Sequence, residues 1–315
     1  MKKTFINQSH IEGYVYDHKL EARVTGENSK SPGTAFIMGT IDIATDDALT
    51  NVIPVHYTYV TATTAKGSAN NTYSVLKDII DGKVATVMSA GKENAAKARI
   101  DSAIGLNEFY STRNGAEELV SAKRNEGGFI HLVNSLIEDE TKRNTFKADM
   151  VITNVKHVDA DEERKTNAYI VVKGGIFDFR GAILPVEFTT SNQGAMDYYE
   201  GLEASSTNPI FTCVWGRQIS QTVTREVVNE SAWGENDVRT VSSTRKAWVI
   251  TGGAKELYSY GADEECDMTP AYLKKASEDR ETYLATIKKR QDEYQASKNT
   301  TTSAPAPAAN GGFNF

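Results

Sequence analysis

The stretch that decides the fold runs from residue 35 to residue 82 and holds three successive patterns: "AFIMGTIDIAT" at 35–45, "NVIPVHYTYVT" at 51–61 and "NNTYSVLKDIIDG" at 70–82. The first two alternate apolar with other residues, and isoleucines at 37, 41 and 43 share one face, which predicts two strands. The third has a capping Asn71 or Thr72 and ends at Gly82, which predicts a helix. With strands predicted before these patterns at 11–25 and after them at 83–89 and 98–110, the order is that of an OB-fold, a five-stranded Greek-key barrel.

The second half of the chain repeats this order. Strands are predicted at 151–163, 168–180 and 182–190, a helix at 194–205, and the fourth and fifth strands within 209–223. The clearest match is "IPVHYT" at 53–58 against "LPVEFT" at 184–189. Duplication of one barrel explains this match, although two unrelated β-rich segments could share it by chance. The predicted fold class is mainly β, with two OB-fold-like five-stranded barrels and short helices, plus a C-terminal helix and a disordered tail.

The predicted domains follow from this repeat. The first barrel spans 1–112, a helical linker or insertion with helices at 116–123 and 129–138 spans 113–145, and the second barrel spans 146–258. Thr269 and Pro270 form a good cap and first-turn pair, so a helix is predicted within 259–298. Its thin apolar stripe would either lie against a barrel or self-associate. Residues 299–315 are a Pro/Ala-rich, flexible tail with an aromatic tip, Phe313 and Phe315.

The charge balance argues against tight non-specific binding to duplex nucleic acid. The chain has 35 Lys and Arg against 42 Asp and Glu, a formal net charge of −7, with both signs mixed along the sequence. A locally basic groove is compatible with this balance. The two distant cysteines, Cys213 and Cys266, the lack of a signal peptide and the lack of an apolar run of about 20 residues predict a cytoplasmic protein without a membrane segment.

The sequence offers little support for catalysis. It has no Walker loop and no G-x-G-x-x-G, H-E-x-x-H or C-x-x-C pattern. "HVDADEE" at 157–163 places an imidazole and carboxylates on one strand face, but their spacing of about 7 Å favours a solvated strand end over a metal site. We therefore expect no enzymatic activity, no cofactor and no metal.

The binding signal is the interleaving of aromatic residues with cations on predicted strands, which is what single-strand binding needs for base stacking and phosphate neutralisation. The predicted contacts in the first barrel are Phe36, Met38, Tyr57, Tyr59, Lys66 and Arg99. Those in the second are Lys173, Phe177, Phe179, Arg180, Trp215, Arg217, Arg245, Lys246 and Trp248. A bulge at Pro54 would decide whether the third strand presents Tyr57 and Tyr59 or instead His56 and Thr58. Each ring, taken singly, belongs more often to a core than to a stacking surface.

The stretch "GYVYDHKLEARVTGENSKSPGTAFIMGTIDIATDDALTNVIPVHYTYVTATT" at 13–64 resembles bacteriophage single-stranded DNA-binding proteins. More distantly, "FIMGTIDIATDD", "NVIPVHYTYV" and "SVLKDIIDGKVATV" are similar in order to bacterial proteins of the same class. The resemblance implies coating of single strands during replication and recombination in an infected host cell. It also implies that the tip with Phe313 and Phe315 docks replication or recombination proteins. The tip departs from the family pattern because no acidic residues precede it.

Two other classes of function remain open. A β-rich virion structural or assembly protein would explain the acidic balance and would form large oligomers without nucleic acid. A strand-annealing or nucleotide-handling protein would need an ordered ring or a pocket. The sequence is also compatible with a homo-oligomer.

Overall fold

The computed structural model describes residues 5–27, 29–111, 116–162, 166–229, 233–234 and 237–301. The strands are β1 Asn7–Val24, β2 Ala35–Ala44, β3 Val52–Thr61, β4 Lys97–Ser111, β5 Glu118–Val133, β6 Asn144–Val158, β7 Tyr169–Phe177, β8 Ile183–Thr190, β9 Ile210–Asn229 and β10 Asp237–Gly253. The helices are α1 Asn71–Ile80, α2 Val87–Ala90, α3 Gln193–Gly201 and α4 Pro270–Thr301. The chain is therefore mainly β, as predicted.

Two five-stranded rings share one topology. In the first, neighbouring strands follow the order β1-β2-β3-β5-β4 and β4 returns to β1, with β3 and β5 parallel. In the second, the order is β6-β7-β8-β10-β9 and β9 returns to β6, with β8 and β10 parallel. We call these rings barrel 1 and barrel 2. Because the order 1-2-3-5-4 recurs in both, the predicted pair of OB-fold-like barrels is confirmed.

Each barrel has its own apolar core, closed by a helix. Barrel 1 buries the isoleucine stripe of β2 with Val55 on β3, and Leu76 and Ile79 of α1 cover it. Asn70 starts α1, since its side chain accepts a hydrogen bond from the Thr72 amide at 3.1 Å. Barrel 2 buries strand residues together with Met196 and Tyr199 of α3. Helices therefore occupy equivalent places in the two halves of the chain.

A glycine lets the second strand of each barrel come close to the first. At Gly39 (φ +125°) a Cβ would lie 2.1 Å from the carbonyl oxygen of Lys19, and at Gly174 it would lie 1.9 Å from that of Val151. No side chain fits such a contact, so both positions require glycine. A glycine at the same contact in both barrels is consistent with duplication of one barrel.

The barrels are joined through equivalent strands. Residues 7–11 of β1 pair antiparallel with residues 144–148 of β6. Since β1 and β6 are the first strands of their rings, equivalent strands meet at this pairing.

Two long hairpins extend from the barrels. From Ala103 onward β4 pairs only with β5, and from Gln218 onward β9 pairs with β10. We call residues 103–111 with 118–126 the first arm, and residues 218–229 with 237–248 the second arm. Ile104 and Leu106 of the first arm enter the core of barrel 2, while Gln221 of the second arm bridges to Asn51 of barrel 1. Each arm therefore lies on the other barrel.

Three predictions of secondary structure are wrong. β5 occupies the segment assigned to a helical linker, because its hydrogen bonds to β4 override the helix formers at 116–119. Residues 83–89 do not form a strand, since Thr86 and Ser89 make a capping box that starts α2. Residues 210–223 lie in the single strand β9, and the fifth strand of barrel 2 is β10.

The predicted C-terminal helix is present as α4 and lies against both barrels. It contacts β8 of barrel 2 and then β4 in the first arm. Residues 302–315, including the aromatic tip, lie outside the described residues. Within the part of the chain that the structure describes, no helix is long and apolar enough to cross a membrane.

Candidate nucleic-acid interface

A cavity of about 330 Å³ lies on the outer face of β2 and β3, between the two arms. We call it the arm cavity. Its floor includes Thr40 and His56 of barrel 1. Its walls include Asn107, Lys123, Arg124, Lys246 and Trp248. In OB-folds this face, with the loops beside it, is where oligonucleotides bind.

The alternation of β3 decides which side chains form the floor. Ile53, Val55 and Tyr57 point into the core, so His56 points outward and its Nδ1 lies 3.3 Å from the Thr40 hydroxyl. Tyr57 is 1% exposed, and the prediction that it stacks on bases is wrong. Pro54 does not shift the pattern, so His56 and Thr58 face outward, as in the second alternative. A register shift opposite Ile37 and Gly39 then leaves Tyr59 exposed as well.

Tyr59 is exposed at the end of β3, as predicted. Half of its surface (51%) is accessible, and its ring centroid lies 4.7 Å from that of Phe36 on β2. Met38 is half-buried on the same strand. The two adjacent rings form an aromatic surface on the outer face of barrel 1, of the kind on which bases stack.

Three cations from both arms line the cavity. Burial lowers the pKa of Lys123 to about 8, and its Nζ donates to the Glu187 carbonyl and lies 5.5 Å from the centre of the Phe188 ring. Arg124 Nε donates to Glu126 at 2.6 Å. Lys246 of the second arm is exposed. The cavity is therefore locally basic in a chain of net charge −7.

The histidine in the floor is held neutral by its surroundings. Burial, followed by the charge of Arg124, lowers the pKa of His56 below its ordinary value. At neutral pH the imidazole therefore offers a hydrogen-bonding group and a flat ring rather than a charge.

A buried polar network fixes the base of the second arm. Gln218 exchanges hydrogen bonds of 2.8 and 2.9 Å with Asn125 and donates to the Ser9 hydroxyl at 2.6 Å. Asn51 accepts from the Ser220 amide at 2.6 Å. Because these groups are buried and satisfied, they hold the cavity walls in a fixed position.

The matching face of barrel 2 presents different groups. Lys173 forms an ion pair with Glu187 at 2.6 Å. Phe177 is buried, with its ring centroid 4.3 Å from that of Phe5, so the prediction that it stacks on bases is wrong. Phe179 is 87% exposed, and the Arg180 guanidinium lies 4.9 Å from the centre of its ring. These two residues lie at the turn after β7.

A second, larger groove of about 930 Å³ crosses the junction of β1 and β6. We call it the junction groove. Trp215 and Arg217 line it together with Lys142 and Lys147, which are not among the predicted contacts. Trp215 is 40% exposed and its ring lies against Gly252. Gln218 and Ser220 of the same strand line the arm cavity, so the predicted tryptophans Trp215 and Trp248 belong to different surfaces.

The other predicted contacts are dispersed. Lys66 is exposed in the loop between β3 and α1, Arg99 is exposed on β4 opposite Glu12, and Arg245 is exposed on β10. Phe313 and Phe315 lie outside the described residues. Among the predicted residues, the structure brings Lys246 and Trp248 together in one cavity, and Trp215 and Arg217 together in the other.

Comparison with known proteins yields a family model and several similar solved structures. Residues 6–290 match the model of a family described as YorF. No curated protein matches the chain in sequence. The chain is similar to a deletion mutant of the single-stranded DNA binding protein from Thermus aquaticus, with 9% identity, a TM-score of 0.43, and coverage of 83% of this chain and 98% of that chain. For the wild-type form of that protein the values are 8%, 0.43, 81% and 94%.

Proposed function

The chain belongs to the YorF family, and we propose that it binds single-stranded DNA, without reading its sequence, along the outer face of barrel 1. The observation that carries this proposal is the arm cavity. Lysine and arginine from two different hairpins meet there beside Trp248, on the face that OB-folds use for oligonucleotides.

The groups of the cavity suit a single strand. In the cavity, Lys123, Arg124 and Lys246 would neutralise phosphates and Trp248 would stack on a base. Outside the cavity, on the same outer face of barrel 1, the Phe36–Tyr59 pair would stack on further bases. Stacking contributes about 1–3 kcal/mol per base and tolerates any sequence, since every base has a π-face. A duplex keeps its bases inside the helix, so it cannot use these rings, and the net charge of −7 disfavours binding through phosphates alone.

We extend the proposal to its biological setting from the sequence resemblance. The protein would coat single strands during bacteriophage replication and recombination, in the cytoplasm of the infected host cell. The tip with Phe313 and Phe315 would recruit replication or recombination proteins, and no catalysis is involved.

The direct test is a titration of the full chain with oligo-dT, followed by intrinsic tryptophan fluorescence and by fluorescence anisotropy of labelled DNA. We expect saturable binding that weakens with salt and is far weaker for a duplex of equal length. A variant that keeps only Trp248, with Trp215→Phe and Trp233→Phe, should retain the fluorescence change. Failure of anisotropy to detect single-strand binding, together with large oligomers formed without DNA, would refute the proposal in favour of a virion structural protein.

A further inference from the structure

The C-terminal helix α4 is anchored on barrel 2. The Tyr272 ring lies 5.2 Å from Phe5 and 5.9 Å from Phe177 between centroids. Ala276 is buried in the same cluster, and Leu273 packs against it. The first half of the helix is therefore fixed to barrel 2 by apolar contacts.

From Arg280 onward, α4 is fixed to the first arm by polar contacts. Arg280 forms a bidentate ion pair with Glu108 of β4, in which Arg280 Nη1 lies 2.5 Å from Glu108 Oε2. The Arg280 side chain is 9% exposed and the Glu108 side chain is 1% exposed. Further along, Lys288 pairs with Glu117, and Gln291 donates to the Tyr110 carbonyl at 3.0 Å. A buried ion pair adds little stability over an apolar contact, but its geometry is specific. The pair therefore fixes where the arm lies.

Because side chains alternate along a strand, successive residues of β4 point to opposite sides of the first arm. Leu106 and Glu108 face barrel 2 and α4. Asn107 faces the other way and lines the arm cavity, and Phe109 follows on that side about 7 Å further along the strand. Phe109 is 42% exposed. By this alternation Phe109 lies on the same side of the arm as Asn107, opposite the side on which α4 binds Glu108.

We propose that α4 is a brace that presents Phe109 to single-stranded DNA leaving the arm cavity, where the ring stacks on a base. Arg280 and Glu108 are positioning residues, since they act through the strand that carries Phe109 and do not touch the DNA. This proposal rests on the proposed function and adds to it one stacking residue and the element that orients it.

The first test compares two exposed phenylalanines of the full chain in oligo-dT binding. Phe109→Ala should raise the Kd by roughly 5- to 150-fold, the range expected when one ring that stacks on a base is removed. Phe129→Ala is the matched control, because Phe129 is 70% exposed but pairs with Asp101, which lines the junction groove. Its Kd should stay within about twofold of wild type. Equal Kd values for Phe109→Ala and wild type would overturn the proposal.

The second test asks whether the ion pair acts through the ring. Glu108→Gln with Arg280→Gln removes both charges, so neither is left buried alone. We expect the Kd to rise about threefold or more when Phe109 is present and to stay unchanged in the Phe109→Ala background. The same loss in both backgrounds would reduce α4 to a purely structural role and overturn the brace.

Two further comparisons keep the outcome interpretable. If the double variant does not fold, Lys288→Gln tests the same coupling at the more exposed pair with Glu117. If the wild-type chain does not bind oligo-dT, the proposed function fails. If wild type binds and Phe109→Ala binds equally well, only the brace fails.

Discussion

Barrels 1 and 2 have the same ring of strands but different outer faces. At the position where barrel 1 has His56, the repeat gives barrel 2 Glu187, whose carboxylate is paired with Lys173. The arm that lies on barrel 2 inserts Ile104 and Leu106 into its core, whereas the arm on barrel 1 is held by the polar network around Gln218. We call the contact between an arm and the other barrel a seam. Barrel 2 therefore has an apolar seam with the first arm, and barrel 1 has a polar seam with the second arm, beside the basic arm cavity. Under the proposed function, one copy of the fold would bind DNA and the other would support it.

The largest effect on DNA binding should come from reversing the charge of the arm cavity on barrel 1. Arg124→Glu with Lys246→Glu replaces two cations of the arm cavity, and we expect the Kd for oligo-dT to rise more than about 100-fold at low salt. The salt dependence of log K should also become shallower by about 0.7 for each phosphate that the variant no longer neutralises. Anisotropy titrations at several salt concentrations measure both quantities.

The control for that variant is Lys173→Glu on barrel 2, a cation already paired with Glu187. Its Kd should change by about threefold or less, because Lys173 does not line the arm cavity. Folding should also be little affected, since an exposed ion pair contributes little to the free energy of unfolding. A loss as large as that of the barrel 1 variant would show that both barrels bind DNA and would remove the asymmetry.

The two seams should differ in their contribution to folding. Leu106→Ala leaves a cavity in the apolar seam and should lower the free energy of unfolding by about 2–5 kcal/mol. Gln218→Ala leaves Asn125 and Ser9 without one partner each and should lower it by about 1–3 kcal/mol. Urea denaturation measures both; a larger loss for Gln218→Ala would reverse the ranking of the seams.

The pH dependence of binding should depend on Lys123. Its pKa of about 8, lowered by burial, means that the ammonium loses its proton as pH rises through 8, so its attraction for phosphate falls over that interval. We expect the Kd for oligo-dT to rise several-fold between about pH 7 and pH 9. Lys123→Arg keeps its charge throughout and should flatten the profile. An unchanged slope in that variant would exclude Lys123 from phosphate binding.

The smallest effect, on the free energy of unfolding, should come from a substitution in the core of barrel 1. Tyr57 occupies the place that Phe188 takes in barrel 2, and its buried hydroxyl has no hydrogen-bond partner among the described residues. Tyr57→Phe makes the two cores alike and should leave the free energy of unfolding unchanged or raise it by about 1 kcal/mol or less. DNA affinity should not change; a measurable loss would mean that the hydroxyl has a role outside the core.

The sequence predicted the fold better than the binding face. Alternation on β2 and β3 and the apolar stripe of α1 depend on neighbouring residues, so they were readable, and the match at 53–58 and 184–189 revealed the second barrel. The cap of α1 was misplaced by one or two residues, since Asn70 caps the helix rather than Asn71 or Thr72. β5 was missed because local helix formers conceal a strand whose pairing with β4 is a long-range contact.

The site residues show the same limit. Lys246 and Trp248 were found from their chemistry, and they line the arm cavity. Tyr57 and Phe177 were misassigned because a ring on a strand faces core or solvent according to register, which composition does not reveal. Asn107 and the proposed stacking residue Phe109 could have been recognised only once 103–111 was known to be an arm that crosses to the other barrel.

The pairing of β1 with β6 has a consequence for dilution. Where two barrels belong to separate chains, their association obeys mass action and weakens at low concentration. Here both barrels lie on one chain, so their encounter is intramolecular and independent of how much protein is present. The arm cavity, whose walls come from both halves, is therefore complete in a single molecule at any concentration.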